Sequence, residues 1–285
     1  MTLIYSTYIP VLLAALSIIL LEHVFPYRTA WKPSRAEVVN DSTFMVVVQV
    51  ALPQILSLII VLELSAATTL GQTIWPRELP DGVQVVLMVL IADFLRYWLH
   101  RASHGWSPLW QLHAVHHSPH KLYWLNVGRF HPLEKAVQFL FDAMPFILLG
   151  VEETVLSLYF VFYAVNGYFQ HCNINLKMGW LNFLISSAEL HRWHHSVDNT
   201  EANRNYGNNI IIWDLLFGTY FLPHNAQVGE LGLKNRNYAT RFVDQIKTPF
   251  IPHMENTGLP MISYKEIVIN LILKMRFLIL YLSGW

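Results

Sequence analysis

Residues 82–117 read GVQVVLMVLIADFLRYWLHRASHGWSPLWQLHAVHH, and this stretch decides the fold. Its first half, residues 82–100, is an apolar run of membrane-crossing length. It ends in Arg96, Tyr97, Trp98 and His100, the residue types that anchor a helix at the water–lipid boundary. Its second half carries His100 and His104, then His113, His116 and His117. Positions i, i+3 and i+4 of an α-helix share one face. The span therefore delivers a set of imidazoles to the membrane surface, aimed at a common point. The spacing H-x-x-H-H recurs at His191, His194 and His195, and eleven of the fourteen histidines fall between His100 and His195. Neutral imidazole is the commonest metal ligand. The pattern predicts a histidine-rich metal centre with room for more than one ion. His23, His224 and His253 stand alone and read as ordinary core or capping residues. His120 lies one turn past His116 but outside the repeat.

Composition agrees with a membrane protein. The chain has 285 residues, 54% of them apolar and 13% charged, against roughly 25% charged in soluble domains. Zero net charge argues against an electrostatic nucleic-acid binder. The single cysteine, Cys172, excludes an internal disulfide and a site built from several thiolates. Imidazole without thiolate suits iron, zinc, copper or nickel.

Residues 4–25 form a retained apolar helix, since they lack the basic start and cleavage site of a secretory signal. Residues 42–64 make a second span, kinked at Pro53. Apolar stretches 136–150 and 155–170, joined by Val151-Glu152-Glu153-Thr154, predict a helical hairpin that dips into or crosses the bilayer. Arg28, Lys32 and Arg35 follow the first span, and Arg101, Lys121, Arg129 and Lys135 follow the third; only Arg77 follows the second. The positive-inside rule then puts the N-terminus outside and every histidine cluster on the cytoplasmic side. Residues 262–283 are apolar but hold Lys265, Lys274 and Arg276, which predicts an interfacial helix rather than a span. The expected fold class is all-α. It is an integral membrane bundle of about four to five membrane helices under a cytoplasmic, histidine-rich helical cap, in one domain over 1–285.

His171 stands where the hairpin re-emerges. With the pair and the two triplets it makes nine imidazoles, too many for one ion and enough for two with about four or five each. Second-shell carboxylates should orient them; Asp93, Glu134, Glu189, Asp198 and Asp214 are the candidates. Arg129 and Arg192 could meet lipid headgroups or act as plain interfacial arginines.

HRASH, HAVHH and HRWHH, the last followed by NYGNNIIIWDLLFGTYFLP, resemble the fatty acid hydroxylase and sterol desaturase superfamily over about residues 90–223. The resemblance implies a four-helix membrane core beneath a cytoplasmic di-iron centre. It implies iron ligation by His100, His104, His113, His116, His117, His191, His194 and His195, with His171 of the FQH element as a further ligand. It implies that two iron ions, O2 and two external electrons hydroxylate or desaturate a lipid C–H bond. The lipid could be a sterol, fatty acyl, alkylglycerol or aminolipid. The electrons would come from a separate b-type cytochrome, ferredoxin-like protein or reduced pterin. Three positions depart from the family pattern: Gly167 where some relatives have a further histidine, Ala188 where many have proline, and Asn203 where an acid is common. His131, in RFHPLE, could fill the place left by Gly167 as a ligand or a ligand's partner. Three other classes compete: a histidine-rich metal transporter or sensor, which needs a file of polar residues in mid-span; a bis-histidine haem electron carrier, which needs paired histidines deep in the spans; and a zinc hydrolase, which needs fewer ligands and usually a carboxylate base.

Overall fold

A computed structural model describes residues 2–66, 74–224 and 226–251. His253 and the expected interfacial helix at 262–283 lie outside them. Among the described residues the chain is helical, with isolated bridges such as Pro26 to Ile174 and no strand.

Helix α1 (Thr2–Val24) is apolar on all sides. Leu12, Leu13, Leu16 and Leu20 are 59–63% exposed, which fits a lipid-facing surface and no water-facing one. Helix α2 (Arg35–Phe44) opens with a capping box, in which the Ser34 N–H donates to Glu37 Oε2 at 2.7 Å and the Glu37 N–H donates to Ser34 Oγ. A π-helical segment (Met45–Ala51) leads into α3 (Leu52–Ala66). The kink expected at Pro53 takes this form. Proline crowds the carbonyl four residues back, and just before it the Leu52 N–H donates to Val47 O, five residues back.

Helix α4 (Asp81–Gly105) continues past the expected end of the span, so His100 and His104 share one rod. Trp106 turns extended, and Pro108 starts α5 (Ser107–His117). Three described segments are long and apolar enough to cross a membrane: Tyr5–Val24, Arg35–Glu63 and Asp81–Gly105. The expected hairpin starts earlier than the apolar run, as α6 (Pro132–Asp142), and breaks at Ala143 before α7 (Met144–Leu148). Its return arm is α8 (Glu153–His171), which packs on α1 and α4. Met88, Val89 and Ala92 of α4 meet Phe146, Val155 and Tyr159 in the core between these helices.

The cap follows. It contains the short helices α9 (Ala188–His194), α10 (Asn199–Ala202), α11 (Ile212–Phe217) and α12 (Phe242–Lys247). A second core of Trp31, Leu122, Trp193, Val228 and Leu231 holds the cap together. Burying side chains such as Leu122 and Leu231 is worth roughly 1.5–3 kcal/mol each.

Candidate metal centre

Helices α4, α5, α8 and α9 converge at one end of the bundle and bring nine histidines together. His100, His104, His113, His117 and His194 form one group; His116, His171, His191 and His195 form the other. Within each group the candidate ligand atoms lie within 4.8 Å of one another. Helical spacing explains the split. His113 and His117, at i and i+4 of α5, face the first group, and His116 faces the second. On α9, His191 faces the second group, as does His195 just past its end, and His194 faces the first.

The outward ring nitrogens are held by oxygen. His100 Nδ1 faces Tyr206 O at 2.8 Å, His194 Nδ1 faces Arg204 O at 2.8 Å, and His104 Nδ1 faces Asn203 Oδ1 at 3.1 Å. Three acceptors for one cage thus come from four consecutive residues. His116 Nδ1 faces Arg129 O at 3.1 Å, and His171 Nδ1 faces Asn126 Oδ1 at 2.9 Å. His113 Nδ1 meets Glu134 Oε1 at 2.6 Å.

This pattern tests whether a cation fits. A carbonyl oxygen only accepts, so the five rings facing one carry their proton on Nδ1 and leave Nε2 bare. Those Nε2 atoms point inward. His100 and His113 approach at 3.1 Å through Nε2, as do His104 and His117, and His171 and His191. His194 Nε2 is buried and has no hydrogen-bond partner. Burial also keeps the rings neutral: it pushes His116 down to about 3, with His194 adding to the effect, and His194 itself to about 4. Converging neutral lone pairs repel each other unless a cation sits among them. The donor set, all imidazole with ordered outer partners, fits two transition-metal ions.

A cavity of about 580 Å³ opens onto the centre. His100, His113, His116, His171 and His191 line its inner end, so it touches both groups. Val11, Leu12 and Ala15 of α1 and Val50 and Pro53 of the second span line its outer part.

Other candidates take different places. His131 joins neither group. Its Nδ1 accepts the Leu133 N–H at 3.1 Å and its Nε2 faces Ile246 O at 3.0 Å, so it caps α6 and ties it to α12. It does not fill the place at Gly167, which lines the cavity. Asp93, Glu189 and Asp214 touch no imidazole directly. Asp93 is fully buried and accepts from the Asn209 N–H at 2.8 Å, the Asn209 side-chain amide at 2.6 Å and the Ile210 N–H at 2.6 Å. Asp214 accepts from the N–H groups of Tyr206 (2.8 Å) and Gly207 (2.6 Å) and from Thr219 Oγ1. Both hold the loop whose Tyr206 carbonyl meets His100. Glu189 ties the Met178 N–H and Asn182 to the first turn of α9. Asp198 caps α10. Arg129 pairs with buried Asp41, and Arg192 donates to the Cys172 and Ile174 carbonyls, so neither faces lipid. Sequence reasoning missed Asn126, Arg129, Asn203, Arg204 and Tyr206 as imidazole partners. Three of them, Arg129, Arg204 and Tyr206, act through backbone carbonyls, which leave no mark in a sequence.

Residues 85–219 match the fatty acid hydroxylase family. The chain is 32% identical over 239 residues to the ornithine lipid hydroxylase OlsE of Rhizobium tropici, covering 82% of this chain and 72% of that protein. It is 30% identical over 145 residues to an alkylglycerol monooxygenase of Danio rerio, covering 50% of this chain and 31% of that one. It is 28% identical over 140 residues to methylsterol monooxygenase 2-2 of Arabidopsis thaliana, covering 48% of this chain and 52% of that one. No solved structure matches it.

Proposed function

The chain belongs to the fatty acid hydroxylase family, and we propose that it is a membrane-bound di-iron oxygenase that hydroxylates a lipid C–H bond. The observation that carries this reading is a pair of all-histidine cages opening together onto one largely apolar cavity. In this reading His100, His104, His113, His117 and His194 hold one iron, and His116, His171, His191 and His195 hold the other. Bound iron supplies the activation of dioxygen that an unactivated C–H bond requires. In net terms R–H, O2, two electrons and two protons give R–OH and water.

The chain's own residues do the rest. Glu134, Asn203, Asn126 and the Arg129, Arg204 and Tyr206 carbonyls fix the tautomer and tilt of six imidazoles. The largely apolar cavity admits a lipid tail. The hydroxylase outcome, rather than desaturation, is favoured by the relatives, which are named hydroxylases and monooxygenases. The electrons come from a separate donor: a b-type cytochrome, a ferredoxin-like protein or a reduced pterin. A metal transporter would want its ligands along a path through the spans, and a haem carrier would want single axial pairs. Groups of five and four imidazoles at one end of the bundle suit neither.

The test is metal analysis of purified protein with comparative lipidomics of cells carrying wild type or His194→Ala. About two irons per chain and loss of a hydroxylated lipid in the variant are expected. One zinc or one haem per chain, or an unchanged lipid profile, would overturn the proposal.

A further inference from the structure

The cavity wall is not uniformly apolar. Arg96, Glu134, Lys135, Gln138, Tyr159 and Asn208 are among the residues that line it. A plain alkyl chain or a sterol nucleus would leave these groups without partners. Four of them keep one polar atom unsatisfied by the protein: Glu134 Oε2, Gln138 Oε1, Tyr159 Oη and Asn208 Nδ2 are buried without a hydrogen bond. The two cations differ. Arg96 is paired with Asp142 at 3.3 Å. Lys135 is only 5% exposed, and among the described residues no carboxylate lies within 4.0 Å of its Nζ. Its contacts are the Tyr163 hydroxyl, to which it donates at 3.0 Å, and the face of the same ring. Glu134 and Asp142 act on Lys135 through space, without a direct ion pair. A buried ammonium with no direct partner of opposite charge is costly, and this one borders a cavity large enough to bring an oxyanion in.

We propose that Lys135 anchors an oxyanion in the polar head of the lipid substrate, a carboxylate or a phosphate, and that the oxidised carbon lies in or beside that head. Glu134, the next residue on α6, grips His113. Adjacent Cα atoms stand about 3.8 Å apart, so the anchor and the cage start from neighbouring positions. The tail then lies outward between α1 and the second span. The cavity follows that span from Met45 to Ser57, about 18 Å at 1.5 Å per residue. The site of oxidation rests on the hydroxylase reading; the oxyanion anchor does not.

The experiment measures binding to the iron-loaded protein in detergent by quenching of tryptophan fluorescence. Four probes are used: an N-acyl amino-acid lipid with a free carboxylate, phosphatidic acid, a 1-O-alkylglycerol and cholesterol. Lys135→Met should weaken at least one of the two anionic lipids by about tenfold, the scale of one charge-assisted hydrogen bond. Lys135→Arg should restore part of that loss, and the two uncharged lipids should bind both variants alike. Which anionic lipid responds identifies carboxylate or phosphate. Iron content at the wild-type level in Lys135→Met shows that it folds. Unchanged affinity for both anionic lipids, or an equal loss for the uncharged ones, overturns the anchor. Mass spectrometry of the product places the new hydroxyl, and a hydroxyl far along the tail overturns the second half. Lys135-dependent binding with no oxidised product overturns the hydroxylase reading, and with it the site of oxidation, while the oxyanion site stands.

Discussion

Glu134 shows how one side chain can set the quality of a metal ligand. It is buried on the first turn of α6, and its Oε1 receives both His113 Nδ1 and the Gln138 side-chain amide, at 2.6 and 3.0 Å. Glu134→Gln keeps an acceptor but removes the acid. We expect it to weaken metal binding about tenfold, the low end of what losing such an outer partner costs, measured by competition with a chromogenic chelator. Unchanged affinity would mean that His113 is held by packing alone. His131 makes the opposite prediction. It caps α6 from outside the cage, so His131→Asn, which preserves a cap, should retain full iron content. Loss of iron in a variant that still folds would return His131 to the ligand set. The sequence made the cages legible because imidazoles at i, i+3 and i+4 must share a helix face. It hid most of their outer partners because a backbone carbonyl has the same chemistry in every residue.

The loop after α10 is the element on which the first cage depends. Asn203, Arg204 and Tyr206 supply three of its acceptors, and Asp93 and Asp214 pin the loop from two helices. Asn205 takes a left-handed backbone with φ of 54°, which asparagine tolerates better than most residues. Its side chain bridges Leu190 O, Phe221 O and the Phe221 N–H. Gly207 has no room for more than hydrogen, since a Cβ there would overlap the Ile210 carbonyl oxygen and lie 2.9 Å from Asp214 Oδ2. Gly207→Ala should therefore displace the loop. The expected cost is about 1–3 kcal/mol of stability, read by thermal denaturation, together with weaker metal binding. An unshifted Tm would show that the loop yields freely. Asp93 was readable as a special residue because a carboxylate inside a span calls for a partner. Its actual partner, a loop 116 residues later in the chain, follows from tertiary folding that local patterning does not encode.

At the scale of the whole molecule, the long helices were legible from apolar length and the distortion before Pro53 from its ring, whereas the break at Ala143 inside an apolar run was not. The side of the membrane on which the cages lie is a question of charge. Arg28, at the cap end, donates to Gly229 O at 3.0 Å, and Lys121 pairs with Glu37 at 2.8 Å. Arg77 sits at the other end, where it donates to Gly150 O at 2.9 Å in the turn before α8. Most loop cations thus share the end that carries the histidines. The positive-inside rule predicts that this end faces the cytoplasm. Cysteine labelling tests this cleanly, because the single native cysteine, Cys172, is buried. Lys177 and Glu78 are both exposed, one in the cap and one in the connection before α4. A membrane-impermeant maleimide should label Glu78→Cys in intact cells and Lys177→Cys only in inside-out vesicles. The reverse pattern would invert the molecule and require the electron donor to work from the outer face. Labelling of both variants in intact cells would mean that the second and third long helices do not cross the bilayer as a pair.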